Sequence, residues 1–316
     1  MKISIVIPIF NEEEVLPELQ KRLRIVQNGL GVQNEVIFVD DGSTDNSFAL
    51  LEEFCRTDSR IKVIQFSRNF GHHIAITAGI DYALGDVVVL MDGDLQNRPE
   101  DIHKLLQKMN EGYDIVYTAR KDRRDPLFKK IGSFLFLLVM RRIVTDPVAV
   151  ETSIFRAMNR NVIESFRNLR ERNRFVVGLI DWTGFSQSWI DVVHDKRFAG
   201  KSKYSFFRQA RLALDAIFSF STFPLHLASM FGFVITFLAF SIGVYIIIRK
   251  LIWGLTLPGF GMLSVSIFFI GGVQLIILGI IGAYIGRIYI EVKERPLYII
   301  KRKINILNII REFKKQ

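Results

Sequence analysis

The sequence predicts an α/β domain with a mainly parallel sheet, followed by two helices that cross a membrane. Over the first 120 residues, five short apolar stretches alternate with helical stretches, which is the pattern of βαβ units. Two later stretches, 216–248 and 251–286, contain no Asp, Glu, Lys or Arg. Each is longer than the ~20 residues that a helix needs to cross a bilayer.

The predicted strands are residues 2–10, 35–41, 61–66, 87–95 and 114–118. Nearly every residue of the first strand is apolar, as in a strand covered on both faces. Asn11 is the expected cap of the first helix, and Ser43 or Thr44 that of the second. The third helix is expected to follow Gly71, and Pro99 marks the start of the fourth.

The alternation stops near residue 120. An apolar stretch within 127–143 is too short to span a bilayer and suits a helix in the headgroup plane, with packing onto the sheet as the alternative. The two spans are predicted at 225–248 and 262–285, against the alternative of buried core helices. The expected organisation is a cytoplasmic catalytic domain, an amphipathic helix, a two-helix membrane domain and a basic tail, at 1–203, 204–223, 224–290 and 291–316.

The formal net charge of +10 and the mean hydropathy of +0.24 indicate an anionic partner and a membrane. A membrane surface is favoured over nucleic acid because the basic residues gather beside the apolar stretches. Residues 293–316 hold eight Lys or Arg, whereas the link between the spans holds only Arg249 and Lys250. This asymmetry predicts that the catalytic domain and the tail are cytoplasmic. The single cysteine, Cys55, predicts no internal disulfide, and no signal peptide is expected before the first strand.

Two predicted strands end in acidic residues. One ends in Asp92-Gly93-Asp94 and the other in Asp40-Asp41. On a strand, Asp92 and Asp94 would point to the same side and could face one cation, and their carboxylates suit Mg²⁺ or Mn²⁺. Gly93 would let a ligand approach the backbone. The alternative is a solvated acidic turn, but two acidic strand ends at the rim where α/β sheets bind ligands favour a nucleotide-diphosphate site.

These residues belong to six short motifs that occur in order along the chain. They are Ile5-Val6-Ile7-Pro8-Ile9-Phe10-Asn11-Glu12, Val39-Asp40-Asp41-Gly42-Ser43-Thr44-Asp45, Ser67-Arg68-Asn69-Phe70-Gly71, Met91-Asp92-Gly93-Asp94-Leu95-Gln96, Arg197-Phe198-Ala199-Gly200-Lys201-Ser202-Lys203-Tyr204 and Tyr284-Ile285-Gly286-Arg287-Ile288-Tyr289. Together with two spans, they resemble the membrane-anchored polyprenyl-phosphate glycosyltransferases of glycosyltransferase family 2, which are related to dolichol-phosphate mannose synthases.

The resemblance implies a Rossmann-like GT-A fold and transfer of a sugar from a nucleotide-sugar to a polyprenyl phosphate. It implies nucleotide contacts from Pro8, Phe10, Glu12, Asp40, Asp41 and Asp92. It implies metal contacts from Asp92, Asp94 and Gln96. Catalytic roles are implied for Asp94, Arg120, Arg197 and Lys201. Basic and polar residues would surround the donor diphosphate and the lipid phosphate: Arg120, Arg197, Lys201, Ser202 and Lys203. A solvated basic loop is the alternative for this last group.

One motif departs from the family. Where the family has an Asp taken as catalytic base, this chain has Ile154, although Phe155 and Arg156 fit the pattern. A phosphate monoester loses its second proton near pH ~6, so the acceptor needs little proton removal. Asp146 or Glu151 are the alternative candidates for a base.

UDP-glucose is the favoured donor, because the two-span tail resembles that of bacterial glucosyl and aminoarabinosyl transferases, and GDP-mannose is the alternative. A processive polysaccharide synthase is a further alternative, but such an enzyme would need more spans and a Gln-x-x-Arg-Trp-like segment, and the sequence shows neither. A non-catalytic membrane adaptor with a decayed transferase domain remains a rival. Copies of the chain itself are further expected partners, in a homo-oligomer such as a tetramer.

Overall fold

The computed structural model describes residues 1–120, 154–172, 174–192, 223–253 and 259–306. The chain divides into two compact units. The first comprises residues 1–205 together with 295–316, and the second comprises residues 206–294. The predicted helices within 127–143 and 204–222 lie outside the described residues and stay predictions.

The first unit is built on a sheet that has eight strands within the described residues, in the order β7-β5-β6-β4-β1-β2-β3-β8. Six strands share one direction, and β6 and β8 run against their neighbours, so the mainly parallel sheet is confirmed. The strands are β1 Lys2–Ile9, β2 Gln33–Asp40, β3 Ile61–Phe66, β4 Val87–Leu90, β5 Ile115–Arg120, β6 Arg156–Asn159, β7 Gln187–Val192 and β8 Ile300–Ile304.

Helices cover both faces of the sheet. In the first unit they are α1 Leu16–Gly29, α2 Ser47–Thr57, α3 His72–Tyr82, α4 Ile102–Met109, α5 Arg160–Asn168 and α6 Val176–Trp182. Successive strand residues point to opposite faces. Ile5 and the other odd residues of β1 pack in the core with buried side chains of α1, α2 and α4. On the other face α3 lies so close that a Cβ at Gly79 would be 2.1 Å from Cγ1 of Val6.

Both predicted helix caps are wrong. The first helix begins at Leu16, because Asn11 has a left-handed backbone (φ 56°) and its Oδ1 accepts a hydrogen bond from the Thr44 N–H at 2.8 Å. The second helix begins at Ser47, because the Ser43 Oγ accepts from the Asn11 N–H at 3.0 Å. The two loops therefore use their polar side chains to hold each other.

The acidic strand β4 is shorter than predicted. It ends at Leu90, and its continuation makes one further bond, from the Met91 N–H to the Val6 carbonyl at 3.1 Å. Asp92 and Asp94 therefore lie on a loop rather than on a strand. Their shared exposure nevertheless persists, because buried and partly exposed residues still alternate from 91 to 97.

The second unit contains two long apolar helices, α7 Phe223–Trp253 and α8 Phe260–Val292. The stretches able to cross a membrane by length and composition are Leu227–Arg249 and Phe269–Val292, with hydropathies of 2.5 and 2.0. The first agrees with the prediction to within two residues, and the second begins seven residues later. None of either stretch is buried within the described residues, which argues against the alternative of core helices.

The chain after α8 contributes β8, which pairs with β3 in antiparallel fashion. This stretch was predicted only as part of a basic tail, and the strand was not predicted. Its middle residues, Lys301, Arg302 and Lys303, are exposed.

Candidate active site

Four loops meet at one edge of the sheet, the edge formed by the carboxyl ends of the parallel strands. Because β4, β1, β2 and β3 are neighbours and run parallel, the loops that follow them leave from the same edge. The chain runs outward from β1 to β2 and β3, and then returns to the other side of β1 as β4. Such a reversal of strand order forms the crevice in which α/β sheets bind ligands. Asp40 ends β2 and Asp92 follows β4, so both acidic positions lie at this edge.

The loop after β1 is fixed against the loop after β2. The Glu12 N–H donates to the Ser47 Oγ at 2.9 Å, and the Asn46 N–H donates to the Glu13 carboxylate at 2.9 Å. Pro8 is buried within β1, whereas the Phe10 side chain is 38% exposed at the edge. These bonds give the predicted nucleotide contacts Pro8, Phe10 and Glu12 a defined backbone next to Asp40.

Asp40 is fully buried and has one carboxylate oxygen to spare. Its Oδ1 accepts a hydrogen bond from the Ser43 N–H at 3.0 Å, whereas its Oδ2 has no hydrogen-bond donor among the described residues. Burial raises the pKa of the Asp40 carboxyl above its ordinary value, and the side chains of Ser43 and Gln65, which lie beside the carboxylate, oppose this rise. A buried acceptor without a donor is rare in folded proteins, which makes Asp40 a candidate contact for a ligand.

Asp41 holds a loop. Its two carboxylate oxygens accept hydrogen bonds from the Phe70 N–H at 2.7 Å and the Gly71 N–H at 2.9 Å. Gly42 makes room for the same loop, because a Cβ there would be 2.5 Å from the Arg68 carbonyl carbon. The structure thus gives the Asp41 side chain a supporting role beside the nucleotide contact that the resemblance implies.

Gly93 is required by the packing of the acidic loop against β1. A Cβ at this position would be 2.6 Å from Cδ1 of Ile9 and 3.3 Å from the Pro8 carbonyl oxygen. Close contact with the end of β1 therefore requires glycine here, and the expected approach of a ligand to the Gly93 backbone stays a prediction. On either side of it, Asp92 and Asp94 remain partly exposed at the edge. The Asp94 Oδ1 accepts from the Gln96 N–H at 3.1 Å, within the same turn.

His72 lies in the candidate site, and the sequence did not predict it there. It is the first residue of α3, and its Nε2 lies 3.3 Å from the Asp92 Oδ1. The His72 side chain is 44% exposed, and desolvation of its remaining surface lowers its pKa, but the hydrogen bond to Asp92 and the charges of Asp92, Asp41 and Asp94 raise the pKa above its ordinary value. The signal in the sequence was its place directly after the Ser67-to-Gly71 motif, which the analysis quoted without assigning a role.

The comparison with known sequences decides the family. Residues 4–167, more than half of the 316-residue chain, match the family described as Glycosyl transferase family 2. The chain belongs to glycosyl transferase family 2.

Named relatives match this transferase over nearly its whole length. The glycosyltransferase YkcC of Bacillus subtilis (strain 168) is 42% identical over 96% of this chain and 95% of the relative. The SfII prophage-derived bactoprenol glucosyl transferase of Shigella flexneri is 40% identical over 96% of this chain and 98% of the relative. The undecaprenyl-phosphate 4-deoxy-4-formamido-L-arabinose transferase of Klebsiella pneumoniae (strain 342) is 38% identical over 95% and 93%.

The fold of this transferase is GT-A, as predicted. Its structure resembles that of mannosyl-3-phosphoglycerate synthase from Rubrobacter xylanophilus, with a TM-score of 0.50. The likeness covers 69% of this chain and 72% of that chain at 14% identity, so it concerns the fold alone.

The donor set at the edge fits a hard divalent cation bound together with a substrate. Within the described residues, no group of three or more His, Cys, Asp or Glu side chains stands ready to hold a metal. The transferase can instead offer the carboxylates of Asp92 and Asp94. Mg²⁺ takes one or two carboxylates and fills its remaining positions with substrate phosphates and water.

Several predicted site residues of the transferase lie outside the described residues. They are Asp146, Glu151, Arg197, Lys201, Ser202 and Lys203, together with the side chain of Arg120, whose backbone ends β5. The motif with Ile154 is described from that residue onward and leads into β6, where Arg156 is paired with Leu90 of β4. Ile154 thus precedes the strand end that adjoins the acidic loop. Arg156 is fully buried with its Nη1 3.6 Å from the Asp181 Oδ1, so it supports the interior.

Proposed function

We propose that this glycosyltransferase moves a sugar from a nucleotide-sugar to a polyprenyl phosphate at a membrane, with a divalent cation, and that UDP-glucose is its donor. The observation that carries the proposal is the pairing of a buried acceptor, Asp40, with the exposed carboxylates Asp92 and Asp94 at one edge. The names of the relatives support the acceptor, because two of them act on bactoprenol or undecaprenyl phosphate by name.

The geometry of Asp40 favours uracil over guanine. Uracil presents a single N–H donor between two carbonyl groups, whereas guanine presents two neighbouring donors. Asp40 has one oxygen without a partner, since the other already accepts from Ser43. One free oxygen matches one N–H, and a bond to a carboxylate is roughly twice as strong as one between neutral groups. Pro8, Phe10 and Glu12 would contact the nucleoside from the neighbouring loop.

The donor diphosphate would lie toward Asp92 and Asp94. A divalent cation bound to these carboxylates, with Gln96 beside it, would neutralise the charge that develops on the leaving diphosphate. His72 would keep Asp92 oriented through its contact at 3.3 Å. Arg120, Arg197, Lys201, Ser202 and Lys203 remain the proposed contacts of the diphosphate and the lipid phosphate.

The reaction would be a direct displacement with inversion at the sugar. A lipid phosphate oxygen forms the bond to the anomeric carbon, while the bond from that carbon to the diphosphate oxygen breaks. The nucleoside diphosphate leaves with the electron pair. The acceptor phosphate is mostly ionised at neutral pH because its second pKa is about 6, so no side chain has to remove a proton first. This is compatible with Ile154 at the position where the family has an Asp, and Asp146 and Glu151 remain proposed alternatives for a base.

The acceptor also gives a reason for the apolar helices. A polyprenyl phosphate exposes its phosphate at the headgroup plane, so its transferase has to work at a membrane surface. α7 and α8 would cross the membrane, and the basic residues after α8 would face the cytoplasm together with the catalytic domain. A homo-oligomer stays a prediction.

The test incubates the purified full chain with polyprenyl phosphate, Mg²⁺ or Mn²⁺, and separate nucleotide-sugars, and identifies the lipid product by mass. We expect hexosyl polyprenyl phosphate from UDP-glucose, no product with EDTA, and loss of product with Asp94→Ala. If product forms only with GDP-mannose, the proposed donor is GDP-mannose instead of UDP-glucose. Tight binding of nucleotide-sugar without turnover in any mixture would instead favour the non-catalytic adaptor.

A further inference from the structure

The loop formed by residues 67–71 connects the two acidic parts of the site. Asp41 accepts hydrogen bonds from two of its backbone N–H groups, those of Phe70 and Gly71. The loop leads directly into α3, whose first residue, His72, contacts Asp92. A shift of this loop would therefore move the side chain that orients a proposed metal ligand.

Tyr298, which follows α8 in the chain, supports the loop through a stack of aromatic rings. Its ring stacks on Phe66 with a centroid distance of 5.2 Å and an interplanar angle of 14°. Phe66 in turn makes an edge-to-face contact with Phe70 in the loop, at 5.5 Å and 83°. Next to this stack, the Ser67 N–H donates to the Ile299 carbonyl at 2.9 Å.

The same tyrosine also anchors α3. Its hydroxyl donates to the Asp81 Oδ2 at 2.8 Å, near the end of the helix that His72 begins. Arg170 contacts the same carboxylate oxygen at 2.9 Å. Burial and the neighbouring Asp81 carboxylate raise the pKa of Tyr298, so its hydroxyl stays protonated and remains a donor. Tyr298 thus contacts the element before the loop and the element after it.

We propose that Tyr298 is a positioning residue for the donor site, acting through Phe66 and Asp81 on the loop 67–71 and on His72. This inference rests on the proposed function for the identity of the ligand. The segment that positions the loop of the donor site is then the one that directly follows the second apolar helix in the chain. Removing that segment would damage donor binding as well as the edge of the sheet.

The other end of the same segment provides a matched control. The Asn305 Nδ2 donates to the carbonyls of Cys55 and Ile61, each at 3.0 Å. Ile61 is the first residue of β3, so these bonds lie at the amino end of this strand, whereas the site lies at the carboxyl end. A purely structural role of β8 predicts equal effects from both ends, whereas a positioning role predicts an effect at the site only from Tyr298.

The experiment compares Tyr298→Leu, Tyr298→Phe and Asn305→Ala with the wild type, all as the full chain in detergent. Hydrogen exchange of the Phe70 and Gly71 amides reads the loop, and calorimetry with UDP and Mn²⁺ reads the site. Tyr298→Leu should speed exchange at both amides at least tenfold and weaken UDP binding. Tyr298→Phe keeps the stack and loses one hydrogen bond, so we expect a smaller increase, about fivefold. Asn305→Ala should leave both readings unchanged.

Wild-type exchange at Phe70 and Gly71 in both Tyr298 variants would overturn the proposal, and so would an equal increase in Asn305→Ala. Faster exchange with unchanged UDP affinity would also overturn it, because the loop would then not position the donor. A wild type that binds no uridine nucleotide would refute the proposed donor instead, and the exchange data would still decide whether Tyr298 holds the loop. If Tyr298→Leu does not fold, Tyr298→Phe alone decides.

Discussion

Replacing Asp40 by Asn should weaken nucleotide binding without weakening the fold. The Asn side-chain oxygen can still accept the hydrogen bond that the Ser43 N–H gives to Asp40. The Oδ2 position, which has no donor among the described residues, becomes an amide group that donates rather than accepts. It would then face the N–H of uracil, donor against donor.

The expected magnitudes follow from burial and charge. A hydrogen bond to a charged group contributes about 1.5–3 kcal/mol, which corresponds to a roughly 10- to 150-fold weaker Kd for UDP. The same substitution should weaken UDP binding but increase the free energy of unfolding. Because burial raises the pKa of Asp40, the folded protein binds this proton more tightly than the unfolded chain does. Ionisation of Asp40 therefore reduces the free energy of unfolding as pH rises through its folded pKa, and Asn removes that loss.

The assay is calorimetry with UDP together with urea unfolding at several pH values. Asp86→Asn is the matched control, because it removes the same charge from a carboxylate that is 64% exposed before β4, at the opposite edge of the sheet. We expect wild-type UDP affinity from the control. We also expect the free energy of unfolding of Asp40→Asn, relative to that of the wild type, to increase as pH rises from about 4 to 7. Unchanged UDP affinity in Asp40→Asn, or a fold destabilised at pH 7, would refute this account of Asp40.

Three further predictions concern packing and buried charges. Gly93→Ala should destabilise the fold by about 1–3 kcal/mol, and adding Ile9→Val should recover part of the loss in urea unfolding, because it removes the Cδ1 that lies 2.6 Å from the new Cβ. Lys62→Met should cost about 2 kcal/mol at neutral pH, because it removes the cation 2.5 Å from buried Glu35 and leaves, among the described residues, only Lys2 at 3.6 Å; the difference from wild type should shrink as pH falls and Glu35 protonates. Burial raises the pKa of Cys55 to about 12, so Ellman's reagent should modify this thiol only at the rate of unfolding, and fast modification of the native protein would contradict its burial.

The sheet could be predicted because its signal is local. Seven of the eight residues of β1 are buried, and continuous apolar runs of this kind occur where helices cover both faces of a sheet. The helix starts could not be predicted in the same way. Asn11 and Ser43 are good caps by local preference, but each contacts the loop of the other, across 32 or 33 residues. A cap used in a long-range contact looks the same in the sequence as one used by its own helix.

β8 was missed for the same kind of reason. Its sequence, Ile300 to Ile304, places three charged residues between two apolar ones, so no alternation indicates a strand. An edge strand tolerates this composition because its three charged side chains stay in solvent while its backbone pairs with β3. The role of Gly93 was also beyond local inference, since the glycine is required by Ile9 on a strand that lies 84 residues earlier.

Ile154 narrows the chemistry that this site can perform. The residue precedes β6, whose first residue pairs with the last residue of β4, so its position adjoins the acidic loop. An isoleucine there can neither remove a proton from an acceptor nor hold a water that does so. A sugar hydroxyl or another alcohol would need such help, because it arrives protonated, whereas a phosphate monoester arrives with its nucleophilic oxygen already ionised. An isoleucine at this position is therefore more compatible with a phosphate acceptor than with polysaccharide synthesis, and in the proposed reaction positioning and charge neutralisation would be the main work of the protein.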